Sequence, residues 1–148
     1  MAWRLLIEAD ILTGLTGAET AAFTTAALKA GQANPLQEVI DQVTQEMRGH
    51  IADCERNALA AGVTLPDRCV LHAVAIVRYR LMSRLGLRVA DGREQEYRDA
   101  RRFLERVSEC KVRIERPAGE VAEEESSAGM EVVRTPERNM TATKLKGL

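Results

Sequence analysis

The chain has 148 residues, of which 45% are hydrophobic, 29% charged and 3% aromatic, and its formal net charge is −1. One domain is the expectation at this length. So few aromatics leave a core of Leu, Val, Ile, Met and Ala, which favours helix on helix over a β-sandwich, and the near-neutral balance excludes a global pull towards nucleic acid or an anionic membrane.

From the N-terminus, Trp3 to Leu15 reads as a lead-in and a short helix with Leu6, Ile11, Leu12 and Leu15 as its apolar positions, punctuated by Gly14 and Gly17. The segment is too short and too soon acidic (Glu8, Asp10) to be expected as a signal peptide. Thr16 with Glu19 forms a capping-box pattern that predicts a second short helix to about Ala30, closed by Gly31. Asn34-Pro35-Leu36-Gln37 then opens a long helix, with Asn34 as cap, Pro35 at the first helical position and Gln37 able to reach back. Its stripe is Leu36, Val39, Ile40, Val43, Met47, Ile51 and Cys54, spaced by threes and fours. Gly62 and Pro66 mark the loop that follows. Asp67 to about Arg84 is the next long helix. Val70, Val74, Val77 and Leu81, widened by Ala73 and Ile76, give it the broad apolar arc of a central helix.

Gly86 and Gly92 bracket a connection, and Asp91 with Glu94 repeats the capping box. The third long helix is expected to run to about Cys110 through Tyr97, Ala100, Phe103, Leu104 and Val107, with Glu94, Arg98, Arg102 and Arg106 four apart on its outer side. Lys111 to Arg116 alternates polar and apolar and predicts one short strand, ended by Pro117. Beyond Pro117 lie 31 residues (148 − 117) that contain the solvated run Glu123-Glu124-Glu125-Ser126-Ser127. They carry seven sizeable apolar side chains: Val121, Met130, Val132, Val133, Met140, Leu145 and Leu148. Burying so few cannot offset the entropy of ordering so long a segment, so the arm is expected to be ordered only by a partner. No apolar run approaches the roughly 18 residues of a membrane span.

The candidates for site chemistry are His50, Cys54, Cys69 and His72. Each pair is spaced for one helix face, and two pairs on adjacent helices have the ligand types of a tetrahedral zinc site. Their spacing matches no common zinc finger, and Cys54 reads more simply as a free core cysteine on the apolar stripe. Three cysteines outside any disulfide-rich pattern fit a reducing cytoplasm. A Cys–His nucleophile lacks an orienting third group and a glycine-rich turn for oxyanion donors, and there is no phosphate loop or dinucleotide fingerprint. We therefore expect no enzyme, metal or cofactor.

Charge is unevenly spread. Arg78 to Arg116 holds twelve Lys/Arg against seven Asp/Glu, a local +5, and Asn34 to Val77 holds three against six, a local −3. Opposite charges of this kind suit contacts between copies. The rival reading is a small nucleic-acid-binding or regulatory protein using Arg78–Arg106, but Glu94, Glu105 and Glu109 lie within salt-bridging reach and would weaken phosphate binding.

The order of segments carries a resemblance: Trp3 and Leu6 before Glu8-Ala9-Asp10-Ile11-Leu12, then Val39 to Ala52, the Leu65-Pro66 turn, Ala73 to Leu81, and Glu96 to Val107. The helix with Ala75-Ile76-Val77-Arg78-Tyr79 and the Tyr97-Arg98-Asp99-Ala100 segment are its most telling parts. Over about Trp3 to Pro117, with nothing matched in the arm, the chain resembles the Mu-like phage and prophage head–tail adaptor (connector, head-completion) family. That resemblance implies a virion protein of the neck, assembled in the host cytoplasm. It implies a homo-oligomeric, dodecameric ring seated between the portal protein and a stopper or tail-terminator protein, with DNA passing transiently through it, no membrane and no catalysis.

The expected architecture is all-α. Three long helices and short N-terminal helices form a body over residues 1–117, followed by an extended arm over 118–148. The arm is expected to meet its partner through Met130, Val132, Val133, Met140, Leu145 and Leu148, with Val112 and Ile114 or Val132 and Val133 able to add a strand to a partner's sheet edge.

Overall fold

The computed structural model describes residues 2–29 and 35–119. Within them run β1 (Trp3–Arg4), α1 (Glu8–Leu12), α2 (Gly17–Lys29), α3 (Pro35–Ala52), β2 (Leu65–Pro66), α4 (Asp67–Arg84) and α5 (Asp91–Ser108). The all-α expectation holds, with one minimal exception: β1 and β2 pair antiparallel, Trp3 opposite Pro66 and Arg4 opposite Leu65. The Leu65-Pro66 loop of the sequence reading is thus half of a two-strand ribbon that ties the N-terminus to the start of α4.

The central role expected for the Asp67–Arg84 helix is realised, since α4 packs against α5, α3, α1 and β2. The three long helices run up, down and up. Arg84 at the end of α4 bonds Glu38 at the start of α3, which sets those two antiparallel. His72 early in α4 stacks on Phe103 late in α5 (ring centroids 3.9 Å apart), and Tyr79 stacks on Tyr97 (4.1 Å). Four of the chain's few flat rings therefore zip α4 to α5, adding contact enthalpy to area burial.

The core is aliphatic. Ile40, Val43, Met47 and Ile51 of α3 face Ala73, Ile76 and Val77 of α4 and Ala100, Leu104 and Val107 of α5, all buried, with Ile11, Leu36 and Leu65 closing the ends. Leu12, expected inside, is 38% exposed.

Local signals explain most boundaries. Thr16 and Glu19 form the reciprocal box at the start of α2: the Thr16 N–H donates to Glu19 Oε2 (2.8 Å) and the Glu19 N–H to Thr16 Oγ1 (3.2 Å). Asp10 accepts the Ile7 N–H in the same way at α1. Asn34 lies outside the described residues, and the Gln37 amide donates forward to Asp41 Oδ1 (2.9 Å) one turn on. At α5 the cap is Ala90, whose carbonyl accepts the Arg93 and Glu94 N–H groups, so Asp91 is the first helical residue.

α4 ends in a Schellman turn: Leu87 N–H reaches the Met82 carbonyl (2.8 Å) around Gly86 at φ +65°. α5 ends in the same turn, Lys111 N–H to the Arg106 carbonyl (2.9 Å), but the left-handed position is held by Cys110 at φ +59°. A non-glycine residue there costs about 1 kcal/mol.

Two expectations fail at this end of the body. Cys54 is not a free core thiol; it is disulfide-bonded to Cys110, 56 positions away, with the Cα atoms 5.3 Å apart. Residues 111–116 form no strand. Ile114 is buried in the core and its N–H meets Asn57 Oδ1, while Trp3 Nε1–H donates to the Glu115 carbonyl (2.9 Å) and Arg68 to that of Arg113 (3.1 Å). Side-chain anchors take the place of a ladder here.

Candidate interaction surfaces

The basic region expected over Arg78–Arg106 is present on α4 and α5, but it is paired. Glu46 on α3 accepts from Arg80 of α4 (2.5 Å) and from Arg101 of α5. Burial opposes its charge, yet the two guanidinium groups prevail and hold its pKa below the usual carboxylate range. Arg84 is bound to Glu38, Arg98 to Glu94 (2.5 Å), and Arg102 approaches Asp99 at 3.8 Å.

Arg93 is the most engaged of the set. It donates to both Glu19 oxygens (3.0 Å each), to Glu96 Oε2 (3.0 Å) and to the Gly14 carbonyl (2.9 Å), which pins α2 and the α1–α2 turn to the start of α5. The Arg93 bonds, with smaller help from Thr16, bring the Glu19 carboxyl down to about 2. Arg78 lies half-buried beside this cluster, with Nε donating to the Ile11 carbonyl (3.2 Å) and its guanidinium packed on Gly14. Burial first, then the Arg93 charge, lowers its pKa.

A face so neutralised offers few free cations to phosphate, since each neutralised phosphate needs an available Lys or Arg. Arg88 and Arg106 are the arginines of this stretch that remain exposed with no ion pair among the described residues.

The four potential zinc donors are taken apart. Cys54 is consumed in the disulfide, and the Cys69 thiol is buried, which pushes its pKa up to about 12. His72 is stacked on Phe103, with its pKa lowered by burial and then by Arg68. His50 Nδ1 is buried, with Asp53 Oδ2 3.8 Å away. Among the described residues no three His, Cys, Asp or Glu side chains gather as a metal site, and no helix is long and apolar enough to cross a membrane.

One feature of the surface escaped sequence reading. An open groove of about 800 Å³ runs between α3 and the segment Leu5–Ala9, which leads into the first turn of α1, and Val63 also lines it. Leu5, Ile7 and Val63 are 53%, 51% and 50% exposed on its walls, and Leu6 and Ile40 are buried beneath them. The arm residues expected to meet a partner, Met130, Val132, Val133, Met140, Leu145 and Leu148, lie outside the described residues.

These features define a small all-α protein whose outer faces are fixed by ion pairs between helices and whose N-terminal ribbon borders an exposed apolar groove. Residues 5–132 match the family described as Bacteriophage Mu, Gp36. The chain belongs to that family and is a virion-related phage protein. The match passes the body–arm boundary read at residue 117 and takes in fifteen further residues (132 − 117), where the sequence resemblance had matched nothing. No curated protein and no solved structure matches the chain.

Proposed function

We propose that this protein is a structural head–tail adaptor of the virion, forming a homo-oligomeric ring between the portal protein and a stopper or tail-terminator protein. The observation that carries the reading is membership of a Mu phage family by a chain whose helical body has a continuous aliphatic core and ion-paired faces. A ring subunit needs a body that keeps its shape and a segment that orders when it docks, and the residues after Pro117 have the composition for the second task. DNA passing through such a ring would meet it transiently and without sequence readout, as paired arginines allow. The neck is its expected location, with the host cytoplasm as the place of assembly.

The test is truncation after Pro117, followed by imaging of particle necks. We expect a folded helical body that no longer joins portal-containing particles, and necks of intact particles with a ring of this chain next to the portal. Normal incorporation of the truncated chain would remove the docking role of the arm, and absence of the full chain from the neck would remove the adaptor reading. Salt-dependent binding of the isolated subunit to plain duplex DNA at physiological ionic strength would instead favour a nucleic-acid-binding protein.

A further inference from the structure

The groove beside the ribbon has a defined chemistry. Its walls are Leu5, Ile7 and Val63, its floor includes Ile40, and among the described residues its charged lining is Glu8 and Asp41, both acidic. Neither makes an ion pair among the described residues; Asp41 accepts one bond from Gln37. A volume of about 800 Å³ lies within the roughly 300–1,000 Å³ of sites that bury a compact ligand. The matching occupant is therefore apolar, basic and short.

The chain supplies such a segment itself. Val132 to Leu148 holds Arg134, Arg138, Lys144 and Lys146 against Glu137, four against one, and its last nine residues combine Met140, Leu145 and Leu148 with Lys144 and Lys146 and no acid. The stretch before it is the reverse: Glu120 to Glu131 holds five Glu and no Lys or Arg, and an acidic rim repels it. The last part of the described chain is also anchored beside the ribbon that leads into the groove. The Glu115 carbonyl accepts from Trp3, two residues before Leu5, and Gly119 follows four residues later. A tether of 21 residues (140 − 119) spans up to about 70 Å when extended, so reach is no obstacle. Tethering on this scale gives an effective concentration of order millimolar. Below that protein concentration the chain's own tail outcompetes a neighbour's.

We propose that Met140–Leu148 docks in the groove lined by Leu5, Ile7, Val63, Glu8 and Asp41 of its own subunit. This inference departs from the expectation that the whole arm orders only on a partner, and it is tested on purified protein away from any particle, so its failure leaves the adaptor reading standing. The full chain would carry the photo-crosslinking residue p-benzoylphenylalanine in place of Leu145. Irradiation should give adducts of monomer mass, joined to Leu5–Ala9, Gln37–Gln45 or Val63, in a yield unchanged over a hundredfold dilution. Val63→Asp and Asp41→Lys, both at exposed positions, should each lower that yield by at least about threefold at unchanged thermal midpoint, as loss of an apolar wall and of charge attraction requires. Adducts elsewhere on the body, no adducts, or yields untouched by both variants overturn the proposal. Adducts found only in covalent dimers overturn it as well, and assign the groove to the tail of a neighbouring copy.

Discussion

Glu19→Gln isolates the contact that fastens the N-terminal helices to the bundle. The carboxylate accepts from Arg93 through both oxygens and caps α2 through the Thr16 N–H. The substitution removes the charge and keeps the shape. Folding brings the Glu19 pKa from an ordinary 4.5 to about 2. At about 1.36 kcal/mol per unit, that shift sets a ceiling of roughly 3 kcal/mol. The two side chains are 20% and 16% exposed, so solvent screening trims this to about 1–3 kcal/mol. The folded pKa lies below the unfolded one, so the stabilisation is complete above pH 4.5 and is lost as pH falls towards 2. Urea unfolding of both proteins from pH 7 to pH 3 measures it. Wild type should exceed the variant by about 1–3 kcal/mol at pH 7, and more than half of that gap should be gone by pH 3. A gap that stays constant across this range, or no gap at pH 7, would refute an ionic role for Glu19.

Three further changes probe the body. Cys54→Ser should lower stability by about 2–4 kcal/mol, the usual worth of a bridge closing a loop of this length; a thiol reductant should reproduce the loss in wild type and have no effect on the variant. Gly14→Ala places a methyl 1.7 Å from Arg78 Nη2, which forces the guanidinium off the Ile11 carbonyl. We expect a loss of about 1–2 kcal/mol in a denaturant melt, most of it absent when Arg78→Ala is already present. Ile76→Ala empties a fully buried position of the central helix and should cost about 2–5 kcal/mol; a loss under 1 kcal/mol would show that the site is not packed as described.

Much of the body was legible because its signals are local. Pro35 and Asp67 fixed the starts of two long helices, the Thr16–Glu19 box fixed a third, and the apolar stripe of each long helix lies in the core where its period put it. What was lost depends on which segments meet. Lys111 to Arg116 alternates like a strand, yet among the described residues no strand pairs with it, and Trp3, Asn57 and Arg68 meet its backbone groups instead. Leu65-Pro66 carries turn residues and still pairs with Trp3-Arg4, because two residues of ladder need no strand propensity.

The disulfide was missed for the same reason. Cys54 and Cys110 each lie two residues past a helix end, and only the parallel course of α3 and α5 brings those ends together. The Glu94–Arg98 pair could be read from its spacing of four, whereas Glu46 with Arg80 and Arg101 could not. The groove is composed of three separate stretches of chain, none distinctive alone.

Glu46 has a mechanical meaning as well as an electrostatic one. One carboxylate gripped from two other helices leaves no direction in which any of the three can slide without breaking a charged contact. The bundle is thus tied crosswise at one level by a single residue, so a register shift of any of the three helices is opposed by both of the others.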